Sequence, residues 1–120
     1  MRGNRVDIDR ARMNLPAVVA GYLRAADSSD ADALVACFAE DAEVTDEGRN
    51  WRGHAEIRRW WEGPANKYQY TVKVRGGQRI GGDRYVARIR LTGNFPGRTA
   101  DLRYRFTLRD GLISLLKIAP

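Results

Sequence analysis

Beyond Pro64 the sequence changes its period, and that change constrains the fold more than any other feature. Residues 67–75, "KYQYTVKVR", set Tyr68, Tyr70, Val72 and Val74 against Gln69, Thr71, Lys73 and Arg75 in strict alternation. Residues 84–92, "RYVARIRLT", put Tyr85, Ala87, Ile89 and Leu91 on one face and Arg84, Val86, Arg88 and Arg90 on the other. Residues 101–109, "DLRYRFTLR", repeat the pattern, with Leu102, Tyr104, Phe106 and Leu108 opposed to Arg103, Arg105, Thr107 and Arg109. A period of two marks strands with one face buried and one solvated. "GGQRIGGD" at 76–83 and "GNFPG" at 93–97 read as turns, Asp110-Gly111 is a tight-hairpin signal, and "LISLLKI" closes the chain. Four long antiparallel strands are predicted.

Before Pro64 the spacing is helical. "LPAVVAGYLRAA" at 15–26 carries an apolar stripe of Leu15, Val18, Val19, Tyr22 and Ala26, with Pro16 suited to the first helical position. Ser29 or Asp30 caps a second, short helix that ends near Phe38 and turns Leu34, Cys37 and Phe38 inward. A short strand follows. "DEGRNWRG" reads as a loop, and Gly53 opens a third helix, "HAEIRRWWE", stopped by Gly63 and Pro64. Helices segregated from an antiparallel sheet define an α+β domain. The predicted architecture is three N-terminal helices packed on a strongly curved, mainly antiparallel sheet, a cone with an internal pocket. Residues 14–120 form this single domain, and 1–13 a flexible N-terminal extension.

The charge of +6 is unevenly spread. Residues 1–62 hold nine basic and twelve acidic side chains, a balance of −3, whereas 63–120 hold twelve and three, a balance of +9. The lone Cys37 excludes a disulfide framework and a cysteine metal cluster, and the lone His54 excludes a histidine-rich one. No cofactor and no metal are expected. No apolar run approaches the roughly 18 residues of a membrane span. The charged opening "MRGNRVDIDRARM" lacks the apolar core of a signal peptide, so a cytoplasmic protein is expected.

One inward position is chemically unusual. With a period of two from Ala42, the short strand aligns Ala42, Val44 and Asp46 on its core face. Burying a carboxylate costs several kcal/mol unless it is paired or neutralised. Asp46 is either a general base in a cavity or the start of the turn that follows, facing solvent.

The stretch "FAEDAEVTDEGRNWRGHAEIRRWW", with the closing "GNFPG…LRYRFTLRDGLISLLKI", resembles the nuclear-transport-factor-2-like superfamily, in particular its SnoaL-like and ketosteroid-isomerase-like branch. The resemblance covers roughly residues 14–120. It implies a cone-shaped fold that hosts isomerases, cyclases, dehydratases, epoxide hydrolases and non-catalytic binding domains. It implies the proton-shuttling role for Asp46 and an oxyanion-donor role for Tyr22. The branch's second donor, a protonated aspartate, is replaced here by Tyr104, a departure that weakens steroid isomerisation as the activity.

The expected catalytic set is Asp46, Tyr22 and Tyr104, and the expected substrate contacts are Trp51, His54, Trp60, Tyr70 and Phe106. His54 lies in the first turn of the third helix, as a surface residue, a partner of Asp46, or a group at the pocket mouth. Trp60 and Trp61 are adjacent, so one is expected to plug the core or pocket and the other to lie at an edge or an oligomer contact. The turn around Asn94 explains that residue. The predicted function is a cofactor-independent isomerase or cyclase acting on an apolar carbonyl compound held in the pocket, in a homodimer. The alternatives are a non-catalytic ligand-binding or protein-interaction domain, and an anion-binding module. The last would use Lys73, Arg75, Arg88, Arg90, Arg103 and Arg105, all on outer strand faces. No aromatic residue interleaves that stripe, which argues against nucleic acid.

Overall fold

The computed structural model describes residues 15–66, 70–94 and 96–120, with the side chains of Asn66 and Tyr70 outside the description. The 1–13 extension, Tyr68 and Gln69 lie outside the described residues. Helix α1 spans Ala17–Asp27 and α2 Ala31–Ala36. Strand β1 (Phe38–Asp46) and strand β2 (Arg49–Arg52) precede helix α3 (Gly53–Glu62). A 3-10 turn at Pro64–Asn66 leads to β3 (Tyr70–Gly81), β4 (Arg84–Gly93), β5 (Thr99–Arg109) and β6 (Leu112–Ala119).

The six strands form one sheet in the order β2-β1-β6-β5-β4-β3. Only β1 and β6 pair in parallel. The three helices pack on this curled, mainly antiparallel sheet, as an α+β fold. The inner faces of the strands supply Val44, Val72, Val74, Ala87, Ile89, Tyr104, Phe106 and Leu116 to the core. Helix α1 answers with Val19, Tyr22 and Leu23, α2 with Leu34 and Val35. Alternation thus reads correctly along β4 and β5, since Ala87, Ile89, Tyr104 and Phe106 are buried and Arg88, Arg103 and Arg105 exposed.

Local chemistry sets the joints. Pro16 occupies the N-cap of α1 rather than its first helical position, and its carbonyl accepts the Ala20 N–H at 3.0 Å. Asp30 caps α2 by accepting the Ala33 N–H at 3.1 Å. The α2 helix then ends before Phe38, because the Cys37 carbonyl is taken by the Ile113 N–H of β6 at 2.9 Å. Phe38 is therefore the first strand residue, still buried.

Three expectations are corrected. The segment after Asp46 is a hairpin, not a loop. Glu47 and Gly48 have φ of 53° and 78°, the paired left-handed conformation of a two-residue turn, and Asp46 faces Arg49 across it. "GGQRI" belongs to β3 instead of a turn: Gly76 pairs with Arg88 and Gly77 with Ala87, after a bulge beyond Val74. Gly77 is there for space, since a Cβ on it would stand 2.6 Å from Leu15 Cγ, which lies across the strand. Finally, Trp60 and Trp61 are both buried, at 2% and 4% exposure. Ile57, Trp60 and Trp61 stand at i, i+3 and i+4, and the 100° step between neighbours fits within one broad apolar helix face.

Candidate functional site

A cavity of about 520 Å³ lies between the inner sheet face and helices α1 and α3. Its walls are mainly apolar. Val72, Leu91, Leu102 and Ile118 come from the strands, and Trp60 and Trp61 from α3. Pro64 and Pro96 contribute from the connections. The alternation of the strands aims the aliphatic side chains inward. The sequence pattern already carried that signal for Val72, Leu91 and Leu102. Pro64, Pro96 and Glu47, which also lines the cavity from the β1–β2 turn, carry no periodic signal in the sequence.

The expected catalytic residues all line this cavity: Asp46, Tyr22 and Tyr104. Asp46 ends β1 with its side chain half-buried. Its Oδ2 accepts the indole N–H of Trp60 at 3.0 Å. Burial pushes the Asp46 carboxyl above the usual carboxylate range, and the neighbouring Glu47 charge adds to the effect. The Trp60 bond and one from the Glu47 backbone pull the other way without cancelling it. Asp46 is thus neither the fully solvated turn residue nor a sealed charge.

Tyr22 is held by aromatic neighbours. Its ring meets Phe38 edge-on at 5.7 Å and 86°, and Phe106 at 5.8 Å and 70°. Tyr104 lies 6.4 Å from Phe106 between ring centres. Phe106 therefore stands behind both tyrosines as support, fully buried, and is not part of the cavity lining.

The other expected contacts separate. Trp60 lines the cavity. Trp51 sits on β2 opposite Val44, with the Arg49 guanidinium 4.4 Å over its ring, and does not reach the cavity. His54 Nε2 lies 2.8 Å from the Phe38 carbonyl, to which it donates, and is likewise absent from the lining. That bond anchors α3 to β1 and leaves Trp60, not His54, as the side chain bonded to Asp46. Tyr70 belongs to β3, with its side chain outside the description. Among the described residues no group of three His, Cys, Asp or Glu side chains could hold a metal ion, and no helix is long and apolar enough to cross a membrane.

This arrangement pairs a carboxylate of raised proton affinity with tyrosines inside an apolar cavity. It is chemically suited to taking a proton from a carbon acid and steadying the resulting oxyanion.

The SnoaL-like domain model matches residues 19–116. Among solved structures, a proposed polyketide cyclase from Sinorhizobium meliloti is 37% identical, with a TM-score of 0.83 over 88% of this chain and 95% of that one. A Catenulispora acidiphila protein with a ketosteroid isomerase-like fold, in complex with trimethylamine, is 19% identical, with a TM-score of 0.77 over 88% and 85% of the two chains. A Mycobacterium tuberculosis protein in complex with estradiol-17β-hemisuccinate is 14% identical, with a TM-score of 0.73 over 86% and 90%. The last two likenesses are of fold alone. Among curated proteins none matches the chain significantly.

Proposed function

The chain belongs to the SnoaL-like domain family, and from that premise we propose that it is a cofactor-independent proton-transfer enzyme, an isomerase or cyclase acting on an apolar carbonyl compound. The observation that carries this reading is Asp46, half-buried on the cavity wall with a raised proton affinity and a fixed orientation from Trp60. The 37% identical neighbour, a proposed polyketide cyclase, supports the cyclase class, and two more distant neighbours hold small organic molecules, trimethylamine and an estradiol hemisuccinate.

In the proposed reaction the Asp46 carboxylate takes a proton from the carbon next to the substrate carbonyl. The C–H electron pair moves into the new C=C bond, and the carbonyl pair moves onto oxygen. Tyr22 and Tyr104 donate hydrogen bonds to that oxygen, which holds more charge in the transition state than in the ground state. Protonated Asp46 then returns the proton to another carbon of the conjugated system, which completes an isomerisation. In a cyclisation the enolate carbon instead attacks a second carbonyl of the same molecule, and Asp46 protonates the alkoxide formed. The apolar walls keep water from quenching the enolate.

Asp46 also ties β1 to α3 through Trp60, which favours a second reading in which the domain binds a small molecule without turning it over. Proton exchange separates the two. Incubation of a panel of cyclic and linear ketones in deuterated water should show enzyme-dependent α-deuteration by NMR, lost in Asp46→Asn. Saturable ligand binding with no exchange in any ketone, or exchange that survives Asp46→Asn, sinks the catalytic reading. The proposal extends to a homodimer in the cytoplasm, with 14–120 as the folded domain; sedimentation equilibrium tests the dimer.

A further inference from the structure

The outer face of the sheet carries a second concavity, of about 370 Å³, that the inner cavity's chemistry does not use. Four arginines line it, Arg75 from β3, Arg88 and Arg90 from β4, and Arg103 from β5, with Asp101 as the one acidic residue. Arg90 is engaged already, giving Asp101 two bonds of 2.7 and 3.0 Å. Arg75, Arg88 and Arg103 form no ion pair among the described residues. Arg88 and Arg103 are direct partners across β4 and β5. Like charges directly opposite in an antiparallel pair are destabilising. Arg88 and Arg103 therefore repel each other across the strands, whereas Arg75 shares the charge of Asp101 with Arg90.

Arg88 also has room to lie flat on the sheet. Its guanidinium lies against Gly76, its register partner on β3, where a Cβ would press on it and make that flexible end shift. The glycine in the strand thus makes the floor on which Arg88 rests. Guanidinium forks match the oxygens of phosphates and carboxylates in pairs, and a groove of this size suits a small molecule. Among the described residues lining the groove none is aromatic, so it offers no platform for stacked bases.

We propose that this groove is a binding site for a small multiply charged oxyanion of the diphosphate class, held by Arg75, Arg88 and Arg103. The ligand supplies the negative charge that the sheet face lacks, so its binding also relieves the repulsion between Arg88 and Arg103.

Isothermal titration with inorganic pyrophosphate at fixed ionic strength tests this. One saturable site per chain is expected. Arg88→Gln/Arg103→Gln should weaken it about tenfold or more, as the loss of charge-assisted bonds implies. Arg75→Gln, a single change on a different strand, should also weaken it, and Arg84→Gln, basic but outside the groove, should not. Three results overturn the site: no saturable pyrophosphate binding to the wild type; equal affinity in the wild type and both groove variants; or a response matched by sodium chloride at the same ionic strength. Affinity for a thymidine oligonucleotide that grows with length, with none for pyrophosphate, also overturns it in favour of a nucleic-acid surface.

Discussion

The indole N–H of Trp60 donates a 3.0 Å hydrogen bond to Oδ2 of Asp46, joining the middle of the third helix's buried face to the last residue of the first strand. One residue of this pair carries the proposed chemistry and the other fixes its direction. The bond also opposes the burial that raises the carboxyl's proton affinity.

Because the folded protein raises the Asp46 pKa, it binds that proton more tightly than the unfolded chain. The group's contribution to stability is then present in full below the ordinary carboxylate pKa of about 3.9 and is lost as pH rises through the folded value. Asp46→Asn removes this titration and keeps an oxygen for the Trp60 N–H. The variant should be as stable as the wild type or more stable at pH 7, with its advantage shrinking as pH falls toward 4. Denaturant unfolding at pH 4, 5.5 and 7 checks this. A variant less stable at pH 7 would make Asp46 a structural carboxylate.

Trp60→Phe removes the donor that favours the ionised form, so the Asp46 pKa should rise further. The acidic limb of any activity profile should move to higher pH, and a carboxyl carbon titration by NMR should show the same direction. Some core packing is lost as well, on the order of 1–3 kcal/mol. An unmoved titration in a folded variant would show that the bond has no hold on the proton.

Gly77→Ala should destabilise the domain by about 1–3 kcal/mol, the usual scale of overpacking, since the new methyl meets Leu15 Cγ at 2.6 Å. In a Leu15→Ala background the same change should cost much less. A double-mutant cycle by thermal or denaturant unfolding measures the coupling. Additive effects would mean that backbone conformation, not Leu15, requires the glycine.

Much of the sheet was legible because its inner and outer faces meet different solvents. Ala87, Ile89, Tyr104 and Phe106 alternate with arginines, and no other secondary structure serves that pattern. Asp46 was visible for the same reason, as a charge in phase with Ala42 and Val44. Gly76 and Gly77 misled because glycine pairs usually mark turns. Here tertiary contacts decide, with Leu15 and the Arg88 guanidinium occupying the space that side chains would fill. Strand β2 was invisible because "RNWR" has no alternating apolar face, and its pairing depends on the turn at Glu47-Gly48. Trp51 and His54 were expected to touch the substrate, and their places in the fold were not legible. The hairpin carries Trp51 away, and the Phe38 carbonyl claims His54.

The sheet order also sets a timetable. Strand β6 is sixth along the chain but third in the sheet, lying between β1 and β5. During synthesis the β1–β2 hairpin and the β3–β4–β5 meander emerge first, as two separate pieces. Each presents an open edge until the final strand leaves the ribosome and closes both seams, one parallel and one antiparallel. Such pairing between distant segments is slow and leaves unpaired edges exposed in the meantime. The last eight-residue strand is therefore the latch of the domain. A nascent chain stalled before Leu112 would hold two half-sheets with no strand pairing between them.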